Sequence, residues 1–237
     1  MASLRALRRL GRTLFFTSNT IRYQVELPRL REALAKIGRV GSALDVGAGS
    51  GYYATEAYLK VSKRFCAIEF DPKLCAILAR ELAPFGSRVR WFQGSILDLP
   101  FQSAEFDLVS CSQVLEHIED EGRAADELVR VVRPGGHLLI MVPHPPAPWP
   151  EGDHVREGYT SYDLERLFAN RGLALCHTDY FLTSPTQRTI HLTHRLRERL
   201  PAVLPLPELR MDAKERRAAS PYGLLALFRR QSNQLRS

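Results

Sequence analysis

Apolar residues along this chain alternate between two periods. Short runs of successive apolar residues lie near positions 43–46, 64–70, 89–93, 106–111, 137–142, 173–182 and 222–228, as in strands covered on both faces. Between these runs, apolar residues recur at helical spacing over 24–37, 53–61, 72–82, 124–132 and 161–170. Strands that alternate with helices predict an α/β fold around a mainly parallel sheet.

A glycine-rich loop follows the first predicted strand. It reads Asp45-Val46-Gly47-Ala48-Gly49-Ser50-Gly51. Glycines at alternate positions let the backbone approach a ligand closely. A dinucleotide-binding loop would have its last glycine where this chain has Tyr52, and a P-loop would need a lysine that this loop lacks. The loop therefore predicts a ligand other than a dinucleotide or a nucleoside triphosphate.

Three later segments extend this pattern. Glu69 ends the second predicted strand, eighteen positions after Gly51, where a sheet of this kind places a carboxylate that can accept both hydroxyls of a ribose. The fourth strand runs through Ser112 and Gln113 into a predicted helix, and the carboxyl ends of parallel strands line the ligand cleft. The stretch Arg133-Pro134-Gly135-Gly136 predicts a turn, with the fifth strand starting directly after it.

Together, these segments resemble the class I S-adenosylmethionine-dependent methyltransferases over residues 45–142. Within that class, the chain looks like the small-molecule enzymes related to ubiquinone and menaquinone biosynthesis, which carry the methyltransferase type 11 domain. The resemblance implies a Rossmann-like, doubly wound, seven-stranded sheet that is mostly parallel, has an antiparallel last strand and carries helices on both faces. It also implies an enzyme with S-adenosyl-L-methionine as cofactor and S-adenosyl-L-homocysteine as product.

The same resemblance implies a cofactor site. Asp45 would offset the positive charge of the cofactor, and Glu69 would accept the ribose hydroxyls. Ser95 stands where the family has an acidic residue, so its hydroxyl and the backbone at Ile96 would contact the adenine instead. The expected cofactor-binding residues are Asp45, Gly47, Ala48, Gly49, Gly51, Glu69, Phe70, Ser95, Ile96, Ser112 and Gln113.

A proline-rich loop over 143–160 is too long for a plain connector and is expected to face the methyl acceptor. Transfer to a hydroxyl needs a group that takes its proton, and an imidazole exchanges protons in the useful pH range. His154 is the first candidate for this catalytic base and His144 the second. Tyr159 and Arg156 are candidates to orient an anionic acceptor.

The pair Glu116 and His117 follows the fourth strand. His117 fits a structural role as well as a catalytic one. A site with two histidines and one carboxylate could be drawn from this pair and a later histidine, but no metal-binding spacing such as H-E-x-x-H is present. No metal is therefore expected.

Composition is that of an ordinary folded domain. Hydrophobic residues make up 45% of the 237 positions and charged residues 25%, which argues against wholesale disorder. No apolar run reaches the length of a membrane-spanning helix. The four cysteines form no CxxC pair, and Cys66, Cys111 and Cys176 lie in apolar, strand-like stretches. We therefore expect buried thiols in a reducing, cytoplasmic setting.

Charge divides the chain into basic ends and an acidic middle. Residues 1–40 carry nine basic and two acidic residues, and 188–237 carry eleven basic and four acidic residues, so each end has a net charge of +7. The total of +7 leaves −7 for 41–187. The basic ends suggest an anionic partner such as a membrane surface, an acidic substrate or nucleic acid.

The predicted organisation has four parts. Residues 1–40 form a cap of basic amphipathic helices, 41–182 the methyltransferase core, 183–220 a basic helical insertion, and 221–237 the closing strand and tail. Residues 2–16 fit an interfacial helix on lipid, a mitochondrial-type presequence or a packed helix. The insertion fits either a substrate lid or a surface resting on anionic lipid.

Three functions remain open at this point. The leading hypothesis is methyl transfer to a small-molecule acceptor, or to one linked to a lipid or a sugar, at oxygen. A nucleic-acid methyltransferase would use the basic ends, but the fourth strand ends in Ser110-Cys111-Ser112-Gln113 and not in the Asn/Asp-Pro-Pro-Tyr/Phe stretch of amino-methylating enzymes, so nucleic acid is disfavoured. The third is a protein that binds the cofactor without turnover.

Overall fold

The computed structural model describes residues 18–147, 152–182, 187 and 221–232. The segment predicted at 2–16 and, apart from Gln187, the insertion predicted at 183–220 lie outside the described residues.

Seven strands of the described part form a single sheet. They are β1 (Val40–Val46), β2 (Ser62–Glu69), β3 (Val89–Gln93), β4 (Phe106–Ser112), β5 (Val132–Pro143), β6 (Leu173–Phe181) and β7 (Gly223–Arg230). The strand order is β3-β2-β1-β4-β5-β7-β6. Strands β1 to β5 pair in parallel, whereas β7 runs antiparallel to both β5 and β6. The predicted antiparallel last strand is confirmed.

Helices connect these strands. The α-helices are α1 (Ser18–Ile37), α2 (Leu59–Val61), α3 (Pro72–Leu82), α4 (Glu121–Val131) and α5 (Ser161–Ala169). A π-helix, Ala54–Tyr58, leads into α2, and 3₁₀-helices cover Ala83–Arg88 and Leu115–His117. Helix α3 begins where the Asp-Pro pair predicts, because the Asp71 carboxylate accepts the backbone N–H groups of Lys73 and Leu74 at 2.6 and 3.4 Å.

Helices cover both faces of the sheet, as expected. On one face, Leu128 of α4 and Phe168 of α5 are fully buried in one apolar cluster. On the other face, Leu30 of α1 and Leu78 of α3 are fully buried in a second cluster. Because both faces are covered, the ligand must reach the sheet from the carboxyl ends of its strands.

Helix α1 is longer than the predicted helix over 24–37. It begins at Ser18 and continues through Pro28. Its Arg29 side chain is almost fully buried and donates from Nη1 to Asp179 Oδ2 of β6 at 3.3 Å. Breaking such a pair would leave a charge buried, so this contact fixes α1 against the far edge of the sheet.

Three local expectations are wrong. Strand β5 begins at Val132 and includes the predicted Arg-Pro-Gly-Gly turn as an irregularity, where the register between β4 and β5 shifts and Gly135 has φ +76°. The helix predicted directly after the fourth strand is only the short 3₁₀-helix Leu115–His117, and α4 begins later, after its N-cap Asp120. Cys176 is exposed, because it lies where the register between β6 and β7 shifts.

The other three cysteines, Cys66, Cys75 and Cys111, are buried, and all four are free thiols. The predicted burial of Cys66 and Cys111 is confirmed. Within the residues that the structure describes, no helix has the length and apolar character needed to cross a bilayer.

Candidate active site

The glycine loop closes the carboxyl end of β1. Gly47, Gly49 and Gly51 have φ of +73°, +56° and +79°, a region that side chains with a Cβ rarely adopt. A Cβ on Gly47 would lie 2.2 Å from Val114 Cγ2, whereas one on Gly49 would meet nothing within 4 Å. The loop is thus packed against the protein at Gly47 and open to a ligand at Gly49.

Glu69, at the end of β2, holds this loop in place. Its Oε2 accepts the Gly49 N–H at 2.7 Å, and its Oε1 accepts the N–H groups of Phe70 and Asp71 at 2.7 and 2.9 Å. The side chain is 7% exposed and lines the cavity described below. A carboxylate has about four lone-pair sites, so Glu69 retains acceptor capacity for a ligand.

Asp45 lies beneath the loop and does not line the cavity. It is 2% exposed, and its Oδ1 accepts the Ser110 hydroxyl at 2.7 Å. Burial raises its pKa from 3.8 to about 7; the Ser110 hydrogen bond lowers the pKa, and the nearby Glu69 charge raises it further. Asp45 can therefore act on a bound ligand only through the field of its charge.

A cavity of about 800 Å³ lies over the loop, at the carboxyl ends of β1, β2 and β4. Its lining includes the expected residues Gly47, Ala48, Gly49, Glu69, Phe70, Ser95, Ile96, Ser112 and Gln113. The structure thus brings together nine of the eleven cofactor residues expected from the sequence, and leaves Asp45 and Gly51 behind the lining.

Aromatic and acidic side chains form the rest of this lining. Tyr23 of α1 stacks on Tyr52 with ring centroids 4.2 Å apart, and the Tyr53 hydroxyl donates to the buried Glu26 carboxylate. Among the described lining residues there is no lysine or arginine, but there are four acids, Glu26, Glu69, Asp71 and Asp153. This charge fits a cationic ligand and disfavours a phosphate.

The residues present therefore fit S-adenosylmethionine, which carries a sulfonium, an ammonium, a ribose and an adenine. The open space above Gly49 can admit the ligand. Glu69 has acceptor capacity for the ribose, and the exposed Phe70 ring (74%) beside Ile96 offers apolar surface to a base.

His117 and Asp153 line one end of the cavity. His117 Nδ1 lies 3.0 Å from the Asp153 carbonyl oxygen, which can only accept, so Nδ1 carries the proton. In the neutral ring, Nε2 then holds a lone pair. His154 packs edge-on against this imidazole, with ring centroids 4.7 Å apart.

The two predicted bases are not in the lining. His154 lies behind His117, and His144 lies at the start of the proline-rich loop, where its ring contacts Tyr180 and its backbone N–H donates to Tyr222 O at 2.6 Å. Burial lowers the pKa of His144. His144 directly follows β5, contacts residues of β6 and of the segment before β7, and does not line the cavity.

The expected orienting residues are also engaged elsewhere. Tyr159 is buried and donates to Glu121 Oε2 at 2.9 Å, while Arg156 stacks on its ring and pairs with Glu121 and Asp163 at 3.1 Å each. Both side chains thus bind the proline-rich loop to α4 and α5, and neither lines the cavity.

Sequence reasoning missed several lining residues. Glu26, Tyr52, Tyr53 and Asp153 were not singled out as ligand contacts. The adjacent tyrosines after the glycine loop were a usable signal, because aromatic rings beside a cation site are common. Nothing in the pattern around Glu26 separated it from other helix charges.

A glycine loop after β1, a carboxylate ending β2 and a cavity over both are the features that the resemblance to class I methyltransferases implies. Residues 44–140 match the family model of a methyltransferase domain, Methyltransf_11. These residues form a class I S-adenosylmethionine-dependent methyltransferase domain, and S-adenosylmethionine is the cofactor of that domain. The relation to ubiquinone and menaquinone enzymes stays a prediction.

Known proteins agree with this assignment. The chain is 31% identical over 128 residues to an uncharacterized methyltransferase of Mycobacteroides abscessus. This aligned region covers 52% of this chain and 46% of that protein. It is 33% identical over 123 residues to a protein of Mycolicibacterium smegmatis named as a probable S-adenosylmethionine-dependent methyltransferase, covering 52% and 44%. The chain thus spans less than half the length of these curated relatives.

A solved structure shows the same fold. The S-adenosylmethionine-dependent methyltransferase from Mesorhizobium loti superposes with a TM-score of 0.61 over 87% of this chain and 98% of that chain, at 21% identity. Since fold does not fix the substrate, the acceptor must be argued from the site.

Proposed function

We propose that this protein transfers a methyl group from S-adenosylmethionine to a hydroxyl oxygen of a small-molecule acceptor or of one linked to a lipid or a sugar. The bound cofactor supplies a methyl group on a sulfonium: the acceptor oxygen forms the new C–O bond, and the C–S electron pair returns to sulfur. The protein has to hold the two partners in line and remove the hydroxyl proton.

The observation that carries this proposal is the imidazole at the end of the cavity. Because His117 Nδ1 donates to the Asp153 carbonyl, His117 Nε2 is the ring nitrogen that can take a proton from a hydroxyl bound in the cavity. His154, packed on His117, lies one ring further from the acceptor. We therefore assign proton removal to the His117–His154 pair, with His117 nearer the substrate.

The basic ends support an anionic or membrane-bound acceptor. Each end carries a net charge of +7, and basic clusters near a bilayer gain about 1 kcal/mol per residue on anionic lipid. We propose peripheral contact with an anionic membrane through these ends. Sedimentation with phosphatidylglycerol vesicles tests it: binding should weaken without residues 1–20, because one of the two basic ends is shortened, and binding unchanged by that truncation would refute the role of this end.

Titration calorimetry with S-adenosylhomocysteine tests the cofactor. Binding in the micromolar range is expected, and no binding near a millimolar would end the enzyme proposal.

The chemistry is tested with methyl-labelled S-adenosylmethionine and three sets of acceptors: phenols, lipid-linked hydroxyls and duplex DNA. Label is expected in the first or second set. His117→Ala and His154→Ala should lower turnover and leave S-adenosylhomocysteine affinity within about threefold, since the loop and Glu69 are untouched. Label only in duplex DNA, or turnover unchanged in both variants, would refute the proposal.

A further inference from the structure

Three side chains of metal-binding type meet at the end of the cavity. Glu116, His117 and His154 each bring one ligand atom within 4.8 Å of the other two. We propose that these residues bind a divalent transition-metal ion beside the acceptor position. The expectation of no metal rested on spacing along one stretch of sequence, whereas these ligands come from two segments that the fold brings together.

The protonation of His117 suits this role. Its Nδ1 donates to the Asp153 carbonyl, so Nε2 presents its lone pair toward Glu116 Oε1, 4.0 Å away. Histidines that bind metals usually donate their other N–H to a carbonyl or carboxylate, which fixes the ring and makes it a better ligand. The Asp153 carboxylate adds a second partner, with Oδ2 3.6 Å from Nδ1.

The two segments are also fixed relative to each other. The backbone N–H groups of Val155 and Arg156 both donate to the Glu116 carbonyl oxygen, at 2.9 and 3.2 Å. Both bonds come from the residues directly after His154 and hold its segment against the 3₁₀-helix that contains Glu116 and His117. The Glu116 side chain is 1% exposed. A buried carboxylate is costly unless it is paired or coordinates a metal, so a cation bound between Glu116 and the two imidazoles would be stabilised.

The distances allow an ion after a small adjustment. Two ligand atoms bound tetrahedrally at about 2.1 Å from a metal lie about 3.4 Å apart. Closing the cluster from 4.8 Å therefore needs the ligand atoms to approach one another by up to about 1.4 Å. Two imidazoles and one carboxylate are a ligand set for Zn²⁺, Mn²⁺, Fe²⁺ or Co²⁺, and three protein ligands leave open positions toward the cavity.

An ion at this place would change how the proton is removed. It would occupy His117 Nε2 and coordinate the acceptor hydroxyl, whose proton would leave to solvent as the metal lowers its pKa. This consequence rests on the proposed methyl transfer and would replace His117 as the group that takes the proton, whereas binding of the ion does not depend on methyl transfer. The two are therefore tested by separate measurements.

Co²⁺ is the probe, because its visible absorption reports coordination by protein ligands without any turnover. Untagged protein freed of metal is titrated with Co²⁺, and S-adenosylhomocysteine binding is measured in parallel as a check on folding. One equivalent is expected to bind. Glu116→Gln and His154→Ala should each weaken binding at least tenfold, while the control His177→Ala on β6 should bind as the wild type does.

The outcomes separate the two proposals. No Co²⁺ binding up to a millimolar, or equal affinity in the wild type and His154→Ala, would refute the metal site. Since His154 is outside the cavity lining, its variant is expected to bind S-adenosylhomocysteine normally and keeps the test valid if Glu116→Gln misfolds. Co²⁺ binding without S-adenosylhomocysteine binding would leave the metal site standing and overturn the proposed function.

Discussion

Asp45 makes the stability of this protein depend on pH in an unusual direction. Most native carboxylates have lowered pKa values and stabilise the fold when ionised. Burial raises the pKa of Asp45 to about 7, so its ionisation costs more in the folded protein than in the unfolded chain. Between pH 3.8 and about 7, the folded protein holds more of the Asp45 proton, so the contribution of Asp45 to the free energy of unfolding falls as pH rises.

The size of this effect follows from the shift. A change from 3.8 to about 7 corresponds to about 4 kcal/mol over the whole range. Between pH 5 and pH 8, this titration accounts for a loss of about 2 to 3 kcal/mol, because part of the effect occurs below pH 5. Asp45→Asn removes the titration, and its amide oxygen can still accept the Ser110 hydroxyl.

Urea unfolding of both proteins at pH 5 and pH 8 measures this difference. The stability of Asp45→Asn relative to the wild type should improve by about 2 to 3 kcal/mol at the higher pH. Asp107→Asn is the matched control. Burial would raise the pKa of Asp107, but the Ser42 N–H and Arg133 outweigh it and lower the pKa, so its contribution is lost only as pH falls below 4. If the difference in free energy of unfolding between Asp45→Asn and the wild type is the same at pH 5 and pH 8, the reasoning is refuted.

Two other predictions concern the loop. Gly47→Ala should lose stability and S-adenosylhomocysteine binding together, since its Cβ would meet Val114 at 2.2 Å, whereas Gly49→Ala, at φ +56° with open space, should cost about 1 to 2 kcal/mol of stability and act mainly on affinity. Urea unfolding and calorimetry separate the two, and equal stability losses would contradict this distinction. Glu69→Gln should weaken S-adenosylhomocysteine about tenfold, or about 1.4 kcal/mol, by losing charged acceptors of three backbone N–H groups. A dissociation constant within twofold of the wild type would remove Glu69 from the site.

The central sheet could be predicted because its signals are local. Buried parallel strands are apolar at successive positions, as at Ala43 and Leu44, and the glycines that follow β1 meet conformational demands that other residues meet only with strain. Glu69 was identifiable for the same reason, since its place depends on the end of one strand. These features need no knowledge of distant contacts.

Features that depend on partners elsewhere in the chain were wrong or incomplete. Helix α1 packs against β6 and β7, which lie far along the chain, and the apolar pattern from Val25 onward marked only part of the helix. The exposure of Cys176 depends on a register shift between two edge-side strands, which leaves no mark in an apolar run. The local apolar pattern predicts that a helix or strand exists, whereas contacts with distant segments determine where it begins and which of its residues are buried.

The histidines show where this limit matters for function. His117, His144 and His154 are equivalent by residue type, and position in a long loop favoured the last two. What separates them is contact between two distant loop segments: His117 Nδ1 donates to the Asp153 carbonyl, 36 residues away, and the His154 ring packs against His117. A loop without periodicity carries no signal for such pairing. The sequence can therefore show that histidines are available near the site. Which histidine lines the cavity, and that Glu116 lies beside His117 and His154, follow only from the fold.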